Sequence, residues 1–328
     1  MDSDNNGTSA DPSKEEANIN KGGALSNSGN FTAWLELMRI SNLPTIWSNV
    51  LVGAAITAGA ARQHALPVAV YKSVNWTVTI AYIVAVSLFY VGGMALNDVV
   101  DAHRDAEHRP SRPIPSGRIE LHKAQTFVFL CFAFGLGIVG YIETAALAIA
   151  VPLVIVIFLY DFLNKKWSGA ILFMGLSRSL VYLLAASDAD ADFGAFNFTV
   201  LMFALILGSY TIAITVIARG EHKKIIDNRK WLSLLMPALA LAGGLVIWPA
   251  KWLLAVGLGL ALLCWMARSV RFVFQKPSKT MQAVLTWLAG ISVIDAYFLV
   301  LLSAPILALM AGACFVFTLA AHRKILGT

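Results

Sequence analysis

The sequence is poor in charged residues. Asp, Glu, Lys and Arg make up only 13% of its 328 residues, whereas hydrophobic residues make up 58%. Soluble domains typically contain about 25% charged residues, so this scarcity excludes an ordinary soluble domain. Apolar stretches of about 20 residues, enough for a helix to cross a hydrocarbon core of about 30 Å, recur after residue 42. Because backbone polar groups in lipid must be satisfied internally, the sequence predicts an all-α, polytopic integral membrane bundle.

Cysteine is also scarce. Cys131, Cys264 and Cys314 lie in separate apolar stretches, without the paired spacing of a zinc site or a disulfide framework. We expect all three to be buried packing residues. The formal net charge is +6, but the basic residues are scattered among short loops, where membrane orientation explains them. We therefore expect the lipid bilayer, and no nucleic acid, as a partner.

The amino-terminal region lacks an apolar run followed by a small-residue cleavage site, so we do not expect a signal peptide. Its first 30 or so residues are rich in Asn, Ser, Asp, Lys and Gly, a composition that buries too little apolar surface to fold. The sequence predicts a disordered cytoplasmic tail at 1–32 and a transmembrane domain at 33–328.

The apolar stretches predict nine to ten transmembrane helices around a central cavity. Only Ser303 to Pro305 separate the last two stretches, which leaves the choice between nine and ten open. The predicted spans are 43–61, 77–97, 124–142, 145–162, 167–186, 197–218, 231–248, 251–267, 281–301 and 303–321.

Basic residues are unequally divided between the two sides of these spans. If the amino terminus is cytoplasmic, 21 of the 25 Lys and Arg residues lie in cytoplasmic segments. Cytoplasmic loops carry an excess of Lys and Arg, so we expect a multi-pass protein of the cell membrane with a cytoplasmic amino terminus. Two long cytoplasmic loops, 98–123 and 219–230, each follow a span that is the second of a pair, and four spans separate the two loops. We expect two similar helical halves whose loops cap the cavity and form the active site.

An acidic segment follows the second span. Asp98, Asp101 and Asp105 are spaced i, i+3 and i+7, so on a helix they share one face. Like charges this close repel one another unless a cation lies among them. Carboxylate oxygens with positions left for water and phosphate suit Mg²⁺ rather than zinc. The alternative is an ordinary solvated helix end.

A basic, proline-rich segment follows directly. Residues 109–118 contain three arginines, Arg109, Arg112 and Arg118, and three prolines. Guanidinium groups match phosphate oxygens, and prolines reduce the entropy lost when a loop orders over a ligand. A loop that merely orients the span does not require three prolines in six positions. The two adjacent segments therefore indicate a magnesium diphosphate ligand.

These two segments resemble motifs of a known protein family. Residues 97–105 are similar to the NDxxDxxxD motif, and residues 109–118 to the RPxRPIPSGR run, of the UbiA superfamily of intramembrane prenyltransferases. The resemblance covers roughly residues 35–300, and within it residues 41–49 and 174–178 are most similar to the EboC-type branch. The resemblance implies Mg-dependent transfer of an isoprenyl group from an isoprenyl diphosphate donor to an apolar or aromatic acceptor.

Site residues follow from the resemblance. It implies that Asp98 and Asp101 contact the metal, with Asn97 and Asp105 in support. It further implies that Arg39, Arg112 and Arg118 bind the diphosphate.

Residues 160–166 resemble the family's tyrosine and lysine segment. There Lys165 is a candidate for a phosphate oxygen, and Asp161 either contacts metal or pairs with that lysine. Tyr160, Asn49 and the intramembrane Arg178 are candidate cavity residues. Asp295, also within a span, is more readily explained by pairing between helices.

The second loop departs from the family pattern. Many members carry a second aspartate-rich motif there, whereas this chain reads Ala-Arg-Gly-Glu-His-Lys-Lys over 218–224. Only Glu221 is placed to act as a second-loop metal ligand, and Arg219 is placed to supply positive charge to the diphosphate. The incomplete motif leaves a second function open, an isoprenoid or lipid transporter or binding protein that holds the diphosphate headgroup without turnover.

Overall fold

The computed structural model describes residues 31–60, 67–187, 198–220, 233, 235–242, 244, 252–275 and 279–324. Within these ranges the structure contains helices and no strand, as the sequence predicts. The twelve α-helices are α1 (31–38), α2 (Leu43–Ala60), α3 (Pro67–Ser73), α4 (Trp76–His108), α5 (Leu121–Ile142), α6 (Leu147–Leu163), α7 (Ile171–Ala185), α8 (Phe198–Gly220), α9 (Leu235–Leu241), α10 (Trp252–Phe274), α11 (Thr280–Leu301) and α12 (Pro305–Lys324).

Eight helices in the described part of the chain are long and apolar enough to cross a membrane, namely α4 to α8 and α10 to α12. The 18-residue α2 coincides with the first predicted span. The predicted span 231–248 is described only in part, with α9 as its helix, and almost all of the predicted tail lies outside the described residues. Nine to ten is therefore an approximate count. Large apolar side chains such as Phe129, Leu309 and Phe317 point outward from the bundle. An apolar exterior of this kind is suited to lipid, and the protein is a multi-pass membrane protein.

Helix α2 lies at the centre of the bundle and packs against α4, α7, α11 and α12. The buried side chains form two hydrophobic clusters. One consists of residues from α1, α4, α5 and α6, and the other of residues from α3, α8, α10, α11 and α12. Both clusters include residues of α2 and α7, so these two helices join the two halves.

The junction of α2 and α7 depends on a small residue. A Cβ atom added to Gly53 would lie 2.4 Å from Ala185 Cβ and 2.8 Å from the Ala185 carbonyl carbon. Because the neighbouring atoms belong to backbone and a short side chain, they cannot swing aside. The two helices approach this closely only because position 53 is glycine.

We expect Gly53→Ala to lower the free energy of unfolding by about 1–3 kcal/mol, since the overpacked helices must separate. The matched control is Gly59→Ala on the same helix, where no described atom lies within 4 Å of the added Cβ. Denaturation in mixed micelles, followed by circular dichroism, measures both. Equal stability of the two variants would contradict the close α2–α7 contact.

The last two predicted spans are separate helices. Helix α11 ends at Leu301, Ser303 adopts a positive φ of 62°, and Pro305 begins α12. Proline is favoured at a first helical position because its missing N–H would have no partner there. The break therefore divides residues 280–324 into two helices.

Helix α4 is longer than the predicted span 77–97. It continues to His108 because residues 94–109 contain neither glycine nor proline, and Pro110 follows its end. The expected start of the loop at residue 98 is therefore wrong, since the loop begins after His108 and the acidic segment forms the last turns of the helix.

One expectation about the cysteines is also wrong. Cys131 and Cys314 are buried, whereas Cys264 is exposed. The packed face of α10 contains Leu262, Met266 and Val270, which are buried. Cys264 lies off this face, so it remains on the outer surface of the bundle.

Candidate functional site

Three aspartates line one face of the last turns of α4. Asp98, Asp101 and Asp105 are only 6%, 9% and 6% exposed. Their helical spacing places them in one row, as the sequence predicts. Buried carboxylates require charge partners, and basic side chains from three other segments supply them.

Arginines from the amino-terminal region and from the proline-rich loop bind this row. The Arg112 guanidinium lies 2.6 Å from an Asp105 oxygen and 3.1 Å from Asp98 Oδ1. Arg39 donates to the same Asp98 oxygen at 3.2 Å. Asp98 Oδ1 therefore accepts hydrogen bonds from two guanidinium groups.

Helix α6 completes the charged cluster. Lys165, just beyond the end of α6, pairs with Asp101. Asn97 Nδ2 donates a hydrogen bond to Asp161 Oδ1 at 2.9 Å, and Asp161 is 5% exposed. Asp161 was expected either to contact metal or to pair with Lys165. The pair with Lys165 is not formed, because Lys165 bonds to Asp101 instead. The structure thus brings together Asn97, all four predicted aspartates, Arg39, Arg112 and Lys165.

Arg39 occupies an unusual backbone conformation. Its φ of 46° and ψ of 48° are left-handed, which is uncommon for a residue with a side chain. The residue lies where α1 ends and the short 3-10 helix Ile40–Asn42 begins. This turn redirects the chain so that the side chain reaches Asp98 and approaches Met94 Sδ at 3.8 Å. Backbone strain of this kind is found most often at functional sites.

The loop between α4 and α5 is firmly built. Gly117 has a φ of 74° and closes a turn onto the Ile114 carbonyl, and Ile119 N–H donates to the Pro113 carbonyl. Ile114 and Ile119 are buried in the hydrophobic cluster. The loop therefore holds Arg112 in place over the acidic row.

Arg118, a predicted diphosphate ligand, lies apart from the acidic row. Its guanidinium pairs with Glu36 of α1 at 2.9 Å and donates to the Ser111 carbonyl at 2.7 Å. In this arrangement Arg118 ties the proline-rich loop to α1. The sequence pattern does not show which of Arg112 and Arg118 binds the acidic row, because the partner of Arg118 depends on where α1 packs.

The second loop contributes one described charged residue, Arg219 at the end of α8. Its guanidinium lies 5.9 Å from the centre of the Tyr160 ring, and Nη1 donates to the Ser168 carbonyl at 3.4 Å. Nη2 is buried and has no hydrogen-bond partner among the described residues. Glu221, the predicted second-loop ligand, lies outside the described residues.

An apolar cavity opens beside the charged cluster. It encloses about 90 Å³ among α2, α4, α6 and α7, and both Tyr160 and Asp161 line it. The cavity thus adjoins α2 and α7, the two helices that join the halves of the bundle. Typical ligand pockets measure about 300–1,000 Å³, so a long ligand must widen this one. Other lining residues include Ile46, Phe89, Tyr90, Leu153, Ile157 and Arg178.

The donor atoms of the cluster suit magnesium in chemical type, because they are carboxylate and amide oxygens. In the described part of the chain, however, no three Asp, Glu, His or Cys side chains converge as they would around a metal ion. The carboxylates instead face Arg39, Arg112 and Lys165. A metal held here would compete with these basic groups for the same oxygens.

A second polar cluster lies deeper in the bundle. Asp295 of α11 is fully buried and accepts hydrogen bonds from Ser48, Asn49 and Tyr182. Asn49 Oδ1 in turn accepts from Arg178 at 2.9 Å. Asn49, Arg178 and Asp295 stand out in the sequence as polar residues within spans, whereas Ser48 and Tyr182 do not. Polar residues at 45, 48 and 49 on α2, spaced i, i+3 and i+4, are the signal that would have revealed this face.

Comparison with curated proteins finds relatives that align with part of this chain. The digeranylgeranylglyceryl phosphate synthase of Methanopyrus kandleri is 37% identical over 133 residues, which are 40% of this chain and 44% of that protein. The protein of the same name from Sulfurisphaera tokodaii is 29% identical over 166 residues, covering 51% and 52% of the two chains. The chain thus matches only about half the length of these relatives.

Comparison with solved structures extends further along the chain. The apo structure of a UbiA homolog from Aeropyrum pernix K1 gives a TM-score of 0.58 at 15% identity, covering 78% of this chain and 97% of the other. A structure from work on digeranylgeranylglyceryl phosphate synthase gives a TM-score of 0.53 at 18% identity, covering 87% and 99%. At these identities the likeness establishes the fold alone.

The family itself is established by a match that covers more than half of the sequence. The model of the UbiA prenyltransferase family matches residues 54–291, well over half of the chain. The matched region contains the acidic row, the proline-rich loop and the end of α8. Both motifs that resembled the family therefore lie inside the match, and the chain belongs to the UbiA prenyltransferase family.

Proposed function

We propose that this protein transfers an isoprenyl group from an isoprenyl diphosphate to an apolar or aromatic acceptor within the membrane. The observation that carries the proposal is the charged cluster of α4, α6 and the proline-rich loop, set directly beside an apolar cavity. A diphosphate group requires a charged cluster, and an isoprenyl chain requires an apolar cavity. Membership in the prenyltransferase family supports the same reaction.

The diphosphate of the donor would be held by the basic side chains of the cluster. Arg39, Arg112 and Lys165 already pair with aspartates of the acidic row. Arg219, with a buried nitrogen that lacks a partner among the described residues, is a further ligand from the second loop. Guanidinium groups suit this task because their N–H groups form paired hydrogen bonds to phosphate oxygens.

Magnesium would be held by Asp98 and Asp101, with Asp161 as a third carboxylate and Asn97 and Asp105 in support. When bound, the ion neutralises negative charge on the diphosphate and so makes it a better leaving group. Glu221 would be a further ligand of the ion. Arg112 and Lys165, which pair with aspartates of the row in the structure, would bind the phosphate oxygens of the donor.

The reaction breaks the bond between the allylic carbon and the diphosphate oxygen. The electron pair leaves with the diphosphate, the acceptor bonds to the allylic carbon, and the acceptor loses a proton. Arg39, Arg112, Lys165 and Arg219 stabilise the charge that develops on the leaving group. Phe89, Tyr90 and Tyr160 line the cavity, and their ring faces favour a nearby carbocation. The apolar walls exclude water, which would otherwise capture the cation.

We also propose that the site opens to the cytoplasmic side of the cell membrane. The distribution of Lys and Arg supports this orientation, since 21 of 25 lie on the side of the amino terminus and the site. Soluble isoprenyl diphosphates are charged, and a site on this side would receive them directly from water. The transmembrane domain would extend over 33–328.

The test is release of diphosphate by the full chain purified in lipid nanodiscs. Farnesyl and geranylgeranyl diphosphates serve as donors. The acceptor panel contains 4-hydroxybenzoate, 1,4-dihydroxy-2-naphthoate and, because of the relatives' name, geranylgeranylglyceryl phosphate. We expect magnesium-dependent release together with a prenylated product. Tight binding of donors without turnover for any acceptor would instead favour a binding or transport protein.

A pair of neighbouring lysines provides a matched control in the same assay. Lys165→Met removes the partner of Asp101, and we expect kcat/KM for the donor to fall by about tenfold or more, as for loss of a charged phosphate contact. Lys166→Met removes an exposed lysine for which no ion pair is described, and should leave kcat/KM within about twofold. Equal effects of both changes would show only that the net charge of this surface matters.

A further inference from the structure

The last helix, α12, packs against residues 39–42, which we call the Arg39 turn. Near the end of α12, His322 is 9% exposed, and its Nε2 lies 2.8 Å from Asn42 Oδ1. An amide oxygen can only accept, so the imidazole donates this hydrogen bond. The bond joins residues 280 positions apart, and both lie outside the residues 54–291 that the family model matches.

Asn42 connects His322 to the site itself. Its backbone N–H donates to the Arg39 carbonyl at 3.2 Å. Its side chain also forms a hydrogen bond with Tyr90, which lines the cavity. The side chain of Asn42 is thus held by α12 and by α4 together, and the backbone beside Arg39 is held with it.

The Arg39 turn needs this support, because Arg39 has a left-handed backbone with a φ of 46°. Such a conformation persists only where the surrounding structure holds it. The turn directs the guanidinium of Arg39 to Asp98, at 3.2 Å. The second ring nitrogen of His322, Nδ1, is buried and has no hydrogen-bond partner among the described residues. The described polar contact of His322 is therefore with the Arg39 turn.

We propose that His322 is a positioning residue for the donor site. Through Asn42 it holds the Arg39 turn in the conformation that presents the Arg39 guanidinium to the diphosphate. This inference rests on the proposed transferase function and adds to it a residue that acts through a neighbour. Without the hydrogen bond the turn would relax, and the diphosphate would lose part of its binding.

The experiment measures binding of geranylgeranyl thiodiphosphate, a donor analogue, with magnesium, by isothermal titration of the full chain in nanodiscs. His322→Leu removes the donor N–H and keeps an apolar side chain of similar size. We expect the affinity to fall by about fivefold or more, the value of one buried hydrogen bond. His322→Gln has an amide N–H that can replace Nε2, and it should bind the analogue within about twofold of wild type.

Thr318→Ala is the matched control for the packing of α12. Thr318 is fully buried one turn before His322, and its hydroxyl donates to the Cys314 carbonyl of the same helix at 2.9 Å. Its loss should lower the melting temperature and leave the affinity for the analogue within about twofold. A general weakening of α12 would instead lower the affinity in both Thr318→Ala and His322→Leu.

A double-mutant cycle tests whether His322 acts through Arg39. In an Arg39→Met background, His322→Leu should lower the affinity for the analogue by less than about a further twofold. Residues that act as one unit are not additive, whereas independent effects add. A full fivefold loss in the Arg39→Met background would overturn the inference.

Two further results would overturn it. One is a folded His322→Leu protein that binds the analogue as tightly as wild type. The other is equal binding by His322→Gln and His322→Asn, since the asparagine amide is one methylene too short to replace Nε2. This polar pair decides the question if the leucine variant does not fold. Failure of the proposed function is a different result, because wild type would then release no diphosphate with any acceptor, while analogue binding and its dependence on His322 could still be measured.

Discussion

Asp98→Asn should reduce isoprenyl transfer by about 10²–10³-fold at saturating donor, comparable to the loss of one preorganised electrostatic contact in other active sites. Asp98 occupies the junction of the charged cluster, where its Oδ1 receives both Arg39 and Arg112. Asparagine keeps the size of the side chain but removes its charge. The arginines would then lose their common partner, and a magnesium ion would lose a ligand. Release of radiolabelled diphosphate from nanodisc protein measures the effect.

The matched control for Asp98 is Glu107→Gln, which removes a carboxylate from the last turn of the same helix. The Glu107 side chain is 66% exposed, and its contact with His108 is 3.9 Å long. We expect turnover within about twofold of wild type, because exposed ion pairs contribute about 0–1 kcal/mol. An Asp98→Asn protein as active as Glu107→Gln would contradict the site assignment. Titration of magnesium provides a second readout, since the concentration at half-maximal rate should rise only for Asp98→Asn.

Asp295→Ala should lower the free energy of unfolding by about 3–5 kcal/mol, the range found when one partner is removed from a buried charged network. The carboxylate is fully buried and accepts hydrogen bonds from three side chains on α2 and α7. Without it, the donors of Ser48, Asn49 and Tyr182 would be buried without their acceptor. Denaturation in mixed micelles, followed by circular dichroism, gives the change directly.

Two further variants define what Asp295 contributes. Asp295→Asn retains one oxygen acceptor and should lose less stability than the alanine variant. Thr286→Ala lies on the same helix and should change stability by no more than about 0.5 kcal/mol, because the only partner of its hydroxyl among the described residues is the Gln282 carbonyl at 2.7 Å. If Asp295→Ala unfolded at the same denaturant concentration as Thr286→Ala, the deep polar network would not stabilise the bundle.

Much of the fold follows from the sequence, because membrane helices are specified by local composition. Predicted spans at 124–142 and 281–301 agree closely with α5 and α11, since a continuous apolar run can satisfy its backbone only as a helix. The acidic row was also predictable, because helical periodicity alone places residues 98, 101 and 105 on one face. The end of α4 was not predicted correctly. A charged segment suggests a loop, although this one contains no glycine or proline that would end the helix.

Partners of the site residues depend on tertiary packing. Spacing places Arg112 and Arg118 in the same loop, yet Arg112 reaches Asp98 while Arg118 reaches Glu36. The difference arises from the position of α1, whose Trp34 packs against Phe127 of α5. Lys165 likewise joins Asp101 rather than the nearer Asp161 in sequence, because α4 and α6 lie side by side.

The sequence by itself determined a helical membrane bundle, an aspartate row and an adjoining arginine loop, since each depends on residues close together in the chain. Only the tertiary structure decided that the cavity lies among α2, α4, α6 and α7, and that Arg178 faces it. It alone showed that Asn49 separates Arg178 from Asp295, residues 117 positions apart in the chain. Contacts between distant residues are set by how helices pack, and the packing of a membrane bundle depends on small residues such as Gly53 that carry no periodic signal.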